Sequence, residues 1–251
     1  MKLEKGSYKH ILLLLFSVML VIALHSQMTL SYLISTKERD NVFGLGNVRL
    51  SLTETEFPEK EEDRILAPLG MIPKNPVVTN TGVNDAYVFL AVTVPYAAVT
   101  LVNDDNEIDS SGKINRELFR LLSDGAEPMT ITDDQTAHFT VTETGNSTYD
   151  RKWVLIQAVE DQETATHTYY FGYSAMLVPS ESTTALFDRL QLRNILEGEL
   201  PDNITQAVVI SAYGIQSEAL LHQVTVQDTA QVTKTELVRI FELYATQEGR
   251  I

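Results

Sequence analysis

The chain has 251 residues, 44% of them hydrophobic and 21% charged, which is enough to bury a core of ordinary globular size. Its formal net charge of −15 opposes binding to nucleic-acid phosphates, and its few cations form no polybasic patch for anionic lipid. The absence of cysteine excludes disulfides, thiolate metal sites and cysteine nucleophiles.

Lys2, Lys5 and Lys9 precede an apolar run, residues 11–24, broken only by Ser17. A membrane span needs about 20 apolar residues, so this run reads as the core of a signal peptide. Thr29 and Ser31 stand at −3 and −1 of a cleavage ahead of Tyr32. The rival reading is an uncleaved anchor extended to Leu30, which would place His25, Ser26 and Gln27 inside the membrane. Cleavage divides the chain into a signal peptide (1–31), an N-terminal segment (32–41) and a single domain (42–251). Loss of residues 1–31 removes three lysines and one glutamate and leaves a net charge of −17.

In "VFGLGNVRLSL", Val48, Leu50 and Leu52 alternate with Arg49 and Ser51, the period of a half-buried strand. Gly44 and Gly46 before it suggest a bend. The proline-rich "APLGMIPKNPVV" predicts irregular structure up to Val77, and "TNTGVND" is a turn cluster. "AYVFLAVTVP" is apolar on both faces, Val88, Leu90, Val92 and Val94 against Tyr87, Phe89, Ala91 and Thr93, and predicts a central strand ended by Pro95. In "INRELFRLLSDG" the spacing of Ile114, Leu118, Leu121 and Leu122 predicts a helix stopped by Gly125. "AHFTVTET", "KWVLIQAVE", "THTYYFGYSAMLV" and "QAVVISAYGIQ" read as strands, with an acidic loop at 160–163, while "TTALFDRLQLRNIL" fits strand or helix. Leu237, Ile240, Phe241 and Tyr244, behind a capping box of Thr233 and Glu236, predict a C-terminal helix. About eight short strands and two helices without βαβ alternation predict a mainly β fold: a single antiparallel β-sandwich or jelly-roll-like domain behind the signal peptide.

No HExxH, GxSxG, P-loop or GxGxxG is present. His138, His167 and His222 could meet at a zinc ion only if the fold brings them together; singly they read as strand or surface residues. Asp105, Glu107 and Asp109 in "NDDNEIDSSG" resemble the start of a calcium loop but lack its central glycine and terminal glutamate, so a solvated acidic turn is the simpler reading. Trp153 reads as a core anchor, and Tyr169, Tyr170, Phe171 and Tyr173 as cross-strand packing or a binding platform. No catalytic or cofactor-binding residue is assigned.

Several segments together resemble the TasA/camelysin family of Gram-positive bacteria. They are the leader, "SYLIST", "DNVFGLGNVRLSLTE", "IPKNPVVTNTGVNDAYVFLAVTVP", "YYFGYSAMLVPSESTTALFDRLQL" and "AVVISAYGIQ", in the family's order. The resemblance covers most of the chain and is most specific over 80–95. It implies a jelly-roll-like sandwich, a leader cut by a SipW-type signal peptidase, and a secreted protein of the cell surface or biofilm matrix. It further implies a homo-oligomeric fibre, with other matrix proteins as partners, in which an N-terminal segment (here Tyr32, Leu33, Ile34 and Ser35) adds a strand to the next subunit. At the family's "AYFTD" this chain departs: Leu33 replaces the aromatic, and Lys37, Glu38 and Arg39 add charge. Camelysin members are also described as surface metallopeptidases, and a monomeric adhesion module is a further alternative.

Overall fold

The run that is apolar on both faces forms the strand around which the fold is arranged. The computed structural model describes residues 48–58, 60, 68–102, 106–123, 150, 152–199, 207–220 and 223–247. Among them are ten strands: β1 (Leu50–Thr53), β2 (Met71–Pro73), β3 (Val77–Asn80), β4 (Ala86–Val99), β5 (Ile114–Glu117), β6 (Phe119–Leu122), β7 (Trp153–Asp161), β8 (Thr166–Tyr173), β9 (Arg189–Leu192) and β10 (Val209–Gln216). A short 3-10 helix (Ser217–Leu220) and one α-helix, α1 (Lys234–Gln247), complete the described elements. The protein is mainly β, and every strand pair is antiparallel.

The larger sheet has the order β10-β4-β8-β7. The second layer holds β2-β9-β6 and β1-β3. These two pieces join because residues 71–80 run beside residues 180–191. Lys74 N–H donates to Asp188 O, Leu186 N–H to Pro76 O, and Asn80 N–H to Glu181 O. Val88, Leu90, Val92 and Val94 of β4 face the core between the layers, with Leu50, Val78, Phe119, Leu190 and Phe187. The opposite face of β4, Tyr87 and Phe89, packs with Ile215 under Leu237, Ile240 and Tyr244 of α1. Fully burying such a side chain contributes roughly 1.5–3 kcal/mol. Gly172 of β8 fits under the helix because a Cβ there would lie 3.0 Å from a Leu237 methyl.

Four expectations are corrected. The segment expected to be a helix, residues 114–125, contains β5 and β6. Glu117, Leu118, Phe119 and Leu121 are all buried, because β5 pairs with β4 and β6 with β9. Tertiary pairing overrides a 3.6-residue spacing carried by only four residues. Pro95 does not end its strand. Its missing N–H falls where β10 has already stopped pairing at Thr93, and its carbonyl accepts from Leu118. Beyond Pro95 the inward face of β4 changes parity, from Val94 to Ala97 and Val99, and the strand turns away with β5. Met71–Pro73 is a strand despite the prolines around it, held by β9. The acidic loop begins later than expected, since β7 runs to Asp161. The ambiguous 183–196 segment contributes strand β9. The expected strand at 137–144, Gly44, Gly46 and Gly125 lie outside the described residues.

The predicted C-terminal helix forms, and its capping box is complete. Thr233 Oγ1 accepts from Glu236 N–H at 3.3 Å, and Glu236 accepts from Thr233 N–H at 2.8 Å. The Thr233 hydroxyl, donating to the Glu236 carboxylate at 2.7 Å, and then the Thr233 N–H hold that carboxyl below its ordinary range. Thr233→Ala is expected to lower stability by about 1 kcal/mol, measured by urea denaturation.

Candidate functional site

Two features of the larger sheet carry chemistry: its outer strands, and a buried polar cluster where β4 bends. Among the described residues the strand path ends in β7 and β10, with β5 paired to β4 off the path, and the two ends differ in how they are protected.

β7 is a guarded edge. Its register with β8 slips between Leu155 and Gln157, a bulge. Trp153 and Leu155 face the core before the bulge, and Ala158 faces it afterwards. The same slip turns Glu160 inward and leaves Gln157 and Asp161 exposed. Lys152, Glu160 and Asp161 charge its two ends. A bulge and charges are the usual devices against edge-to-edge pairing.

β10 has none of these devices. "VISAYGIQ" contains no charge and no proline, and it pairs with β4 in unbroken register from Val209 opposite Thr93 to Gln216 opposite Ala86. Val209 is 51% exposed. Ala212 lies in the core between the layers, while Ile215 packs under the helix. β1, at the edge of the second layer, lies against β10: a Cβ on Gly214 would meet a Leu50 methyl at 2.7 Å and Val48 at 3.3 Å. Glycine at 214 is therefore what allows the two layers to close at this end.

The polar cluster centres on Glu117, 1% exposed. Its Oε1 accepts from the Tyr169 hydroxyl and lies 3.0 Å from Nδ1 of His167. Tyr96 stacks on the His167 ring at 4.5 Å and donates to Glu160 of β7 at 3.0 Å. Burial, then the charge of Glu117, then its hydrogen bond push the Tyr169 phenol well above its ordinary range. Tyr96 is raised by burial, then by its bond to Glu160. Burial and the neighbouring Arg120 pull the Arg193 guanidinium down to about 10, with Glu117 opposing the shift. A buried carboxylate facing buried cations costs little only while both are present. The cluster thus ties β5, β8, β4, β7 and the chain after β9 together at the bend.

His167 is the one candidate metal ligand histidine placed by the structure. His138 and His222 lie outside the described residues, and among the described residues no three His, Asp or Glu side chains meet in a way that could hold a metal ion. Of the calcium-like loop, Asp105 is outside. Asp109 accepts from Ser111 N–H at 2.9 Å, which lowers its pKa, and lies 3.7 Å from Arg116. Thr29, Ser31, Tyr32, Leu33, Ile34 and Ser35 also lie outside. Trp153 is the core anchor expected, its Nε1–H donating to Thr184 O. Of the aromatic run, Tyr169, Phe171 and Tyr173 enter the core, and Tyr170 packs on Phe241 at 5.1 Å. Compared with protein-family models, with curated proteins and with solved structures, the chain matches none.

The alkaline limb of stability follows from the cluster and from Tyr87 under the helix. The raised phenols of Tyr169, Tyr96 and Tyr87 keep their protons in the folded chain while those of the unfolded chain ionise, so their stabilisation is complete below about pH 10 and is lost above it. Arg193 acts in the opposite sense above about pH 10, since the folded state releases that proton first. The phenols begin to act at the lower pH, and stability falls there. Tyr169→Phe is expected to cost roughly 1–3 kcal/mol near neutrality, by leaving Glu117 short of a donor. It is also expected to flatten the decline between pH 9 and 11, read by urea unfolding at each pH.

Proposed function

We propose that the chain is an exported structural protein of the cell surface or biofilm matrix, a subunit that assembles into fibres by β-strand donation. The charge-free strand β10, the outermost of its path among the described residues, carries this reading. Such an edge presents main-chain donors and acceptors to an incoming strand, which gains affinity from the backbone and specificity from alternate side chains. The proposed donor is the apolar tip Tyr32, Leu33, Ile34 and Ser35, the new N-terminus after cleavage at Ser31. Twelve residues, 36–47, separate this tip from Val48; fully extended they reach about 40 Å, enough to leave their own domain. Addition from one subunit to the next is head-to-tail and does not close, so it yields filaments. The resemblance to the TasA/camelysin family supports the same reading, with a SipW-type signal peptidase releasing the donor.

Deletion of residues 32–35 behind an intact cleavage site is expected to abolish fibres in electron micrographs while leaving the circular dichroism of the sandwich unchanged. Fibres of undiminished number would remove strand donation by this segment. At a net charge of −17 after cleavage, fibre growth is expected to quicken with added salt or at lower pH, followed by light scattering.

A further inference from the structure

We infer that residues 48–57, β1 and the strap that follows it, are an exchangeable element, and that two copies of this chain join by trading it, β1 of each copy pairing with β3 of the other. The traded segment is β1 rather than residues 32–35, and the receiving site is the one that β1 fills in its own chain. The inference therefore stands apart from the fibre reading. Among the described residues β1 pairs with β3 alone, from Leu50 opposite Asn80 to Thr53 opposite Val77. Arg49 O accepts from Thr81 N–H at 2.8 Å. Val48 and Leu50 are buried, and a Leu50 methyl takes the space that a side chain at 214 would need. Beyond β1, the two carboxylate oxygens of Glu54 lie 2.7 and 2.8 Å from Nζ of the buried Lys74, and the Phe57 ring stands 4.6 Å from that ammonium. Asn75 accepts from Glu56 N–H at 3.0 Å and donates to Thr55 at 3.3 Å.

These partners belong to residues 74–81 and to Gly214, so the same segment of a second copy reproduces each contact unchanged. Exchange of an identical element needs no new surface, which makes it a low-cost route to a dimer. Charge selects the occupant. A foreign strand without a carboxylate at the place of Glu54 would remove one partner of a buried ion pair, a costly loss, whereas the second copy restores it. The link back to the domain permits the trade. Residues 58–70 join Phe57 to Met71 and span about 45 Å when extended, enough for β1 to reach a neighbour. Pro58 and Pro68 bias the residues before them toward extended backbone. Leu69, where the link meets β2, is held in the left-handed region at φ 60°, a strained conformation for leucine. Strain in a connecting loop favours exchange over closure within one chain. The trade is reciprocal and closes as a dimer.

The chain has no cysteine, so single cysteines report the pairing directly. Ser51 and Thr79 lie opposite each other and are both half-buried. Ser51→Cys and Thr79→Cys are placed in separate purified chains, mixed at high concentration, taken through mild urea and back, and oxidised. The expected result on a non-reducing gel is a disulfide-linked heterodimer as the main covalent dimer, with both homodimers near background. Thr53→Cys with Val77→Cys is the second pair should the first disturb folding, which near-ultraviolet circular dichroism reports. With both cysteines in one chain, the monomer fraction is expected to link within the chain and the dimer fraction between chains. No heterodimer from either pair, or homodimers as strong as the heterodimer, overturns the inference. Deletion of residues 32–35 is expected to leave the heterodimer in place; its loss with that deletion would make those residues the joining segment and overturns the inference as well. Fibres lost while the heterodimer persists separates this exchange from strand donation.

Discussion

Burial of β4 on both faces is the constraint on which the remaining architecture depends. Val88, Leu90, Val92 and Val94 require a second sheet on one side, and Tyr87 and Phe89 require a cover on the other. An antiparallel strand with one wet face needs neither. The second layer answers the first demand and α1 the second. β8 and β10 flank β4 on its hydrogen-bonding sides, because a strand this apolar cannot lie at an edge.

Length creates the next problem. At 14 residues, β4 outruns its neighbours, and beyond Pro95 it must leave the sheet or expose unpaired backbone. It leaves: the strand bends, pairs with β5 and passes on toward the second layer, where Val102 N–H donates to Asn194 O. The polar cluster sits at this bend. Glu117, His167, Tyr169, Tyr96 and Glu160 fill a place where side chains from four strands converge and apolar packing is interrupted. Such a network is stable when its members satisfy one another and costly when one is removed. It also fixes the far end of β7, through the bond from Tyr96 to Glu160, so the guarded edge is held in the shape that guards it.

Among the described residues, β7 and β10, at the two ends of the strand path, differ in how they are protected. On β7 a single extra residue reverses which side chains face out, and charge stands at both ends. On β10 alternation continues without interruption, and Gly214 admits Leu50 and Val48 of the neighbouring layer. In a chain carrying 34 acidic residues, β10 is a strand without charge.

Much of this was readable in the amino-acid order. The mainly β class, the doubly buried strand, the hairpin of β7 and β8 and the capped C-terminal helix each rest on a local pattern: alternation, a turn cluster or a capping box. These follow from side-chain periodicity and backbone capping, which act over a few residues. The failures share a different cause. Residues 114–122 have helical spacing, yet β4 and β9 offered backbone partners, and Arg116 and Glu117, which look like a solvated helix face, became buried. Met71–Pro73 became a strand because β9 lies beside it. The lack of charge in β10 is visible in the sequence, but its place at an edge is not. Which strand lies outermost, and which carboxylate meets which histidine, depends on pairings between residues 50 to more than 100 positions apart, and only the closed tertiary structure decides them.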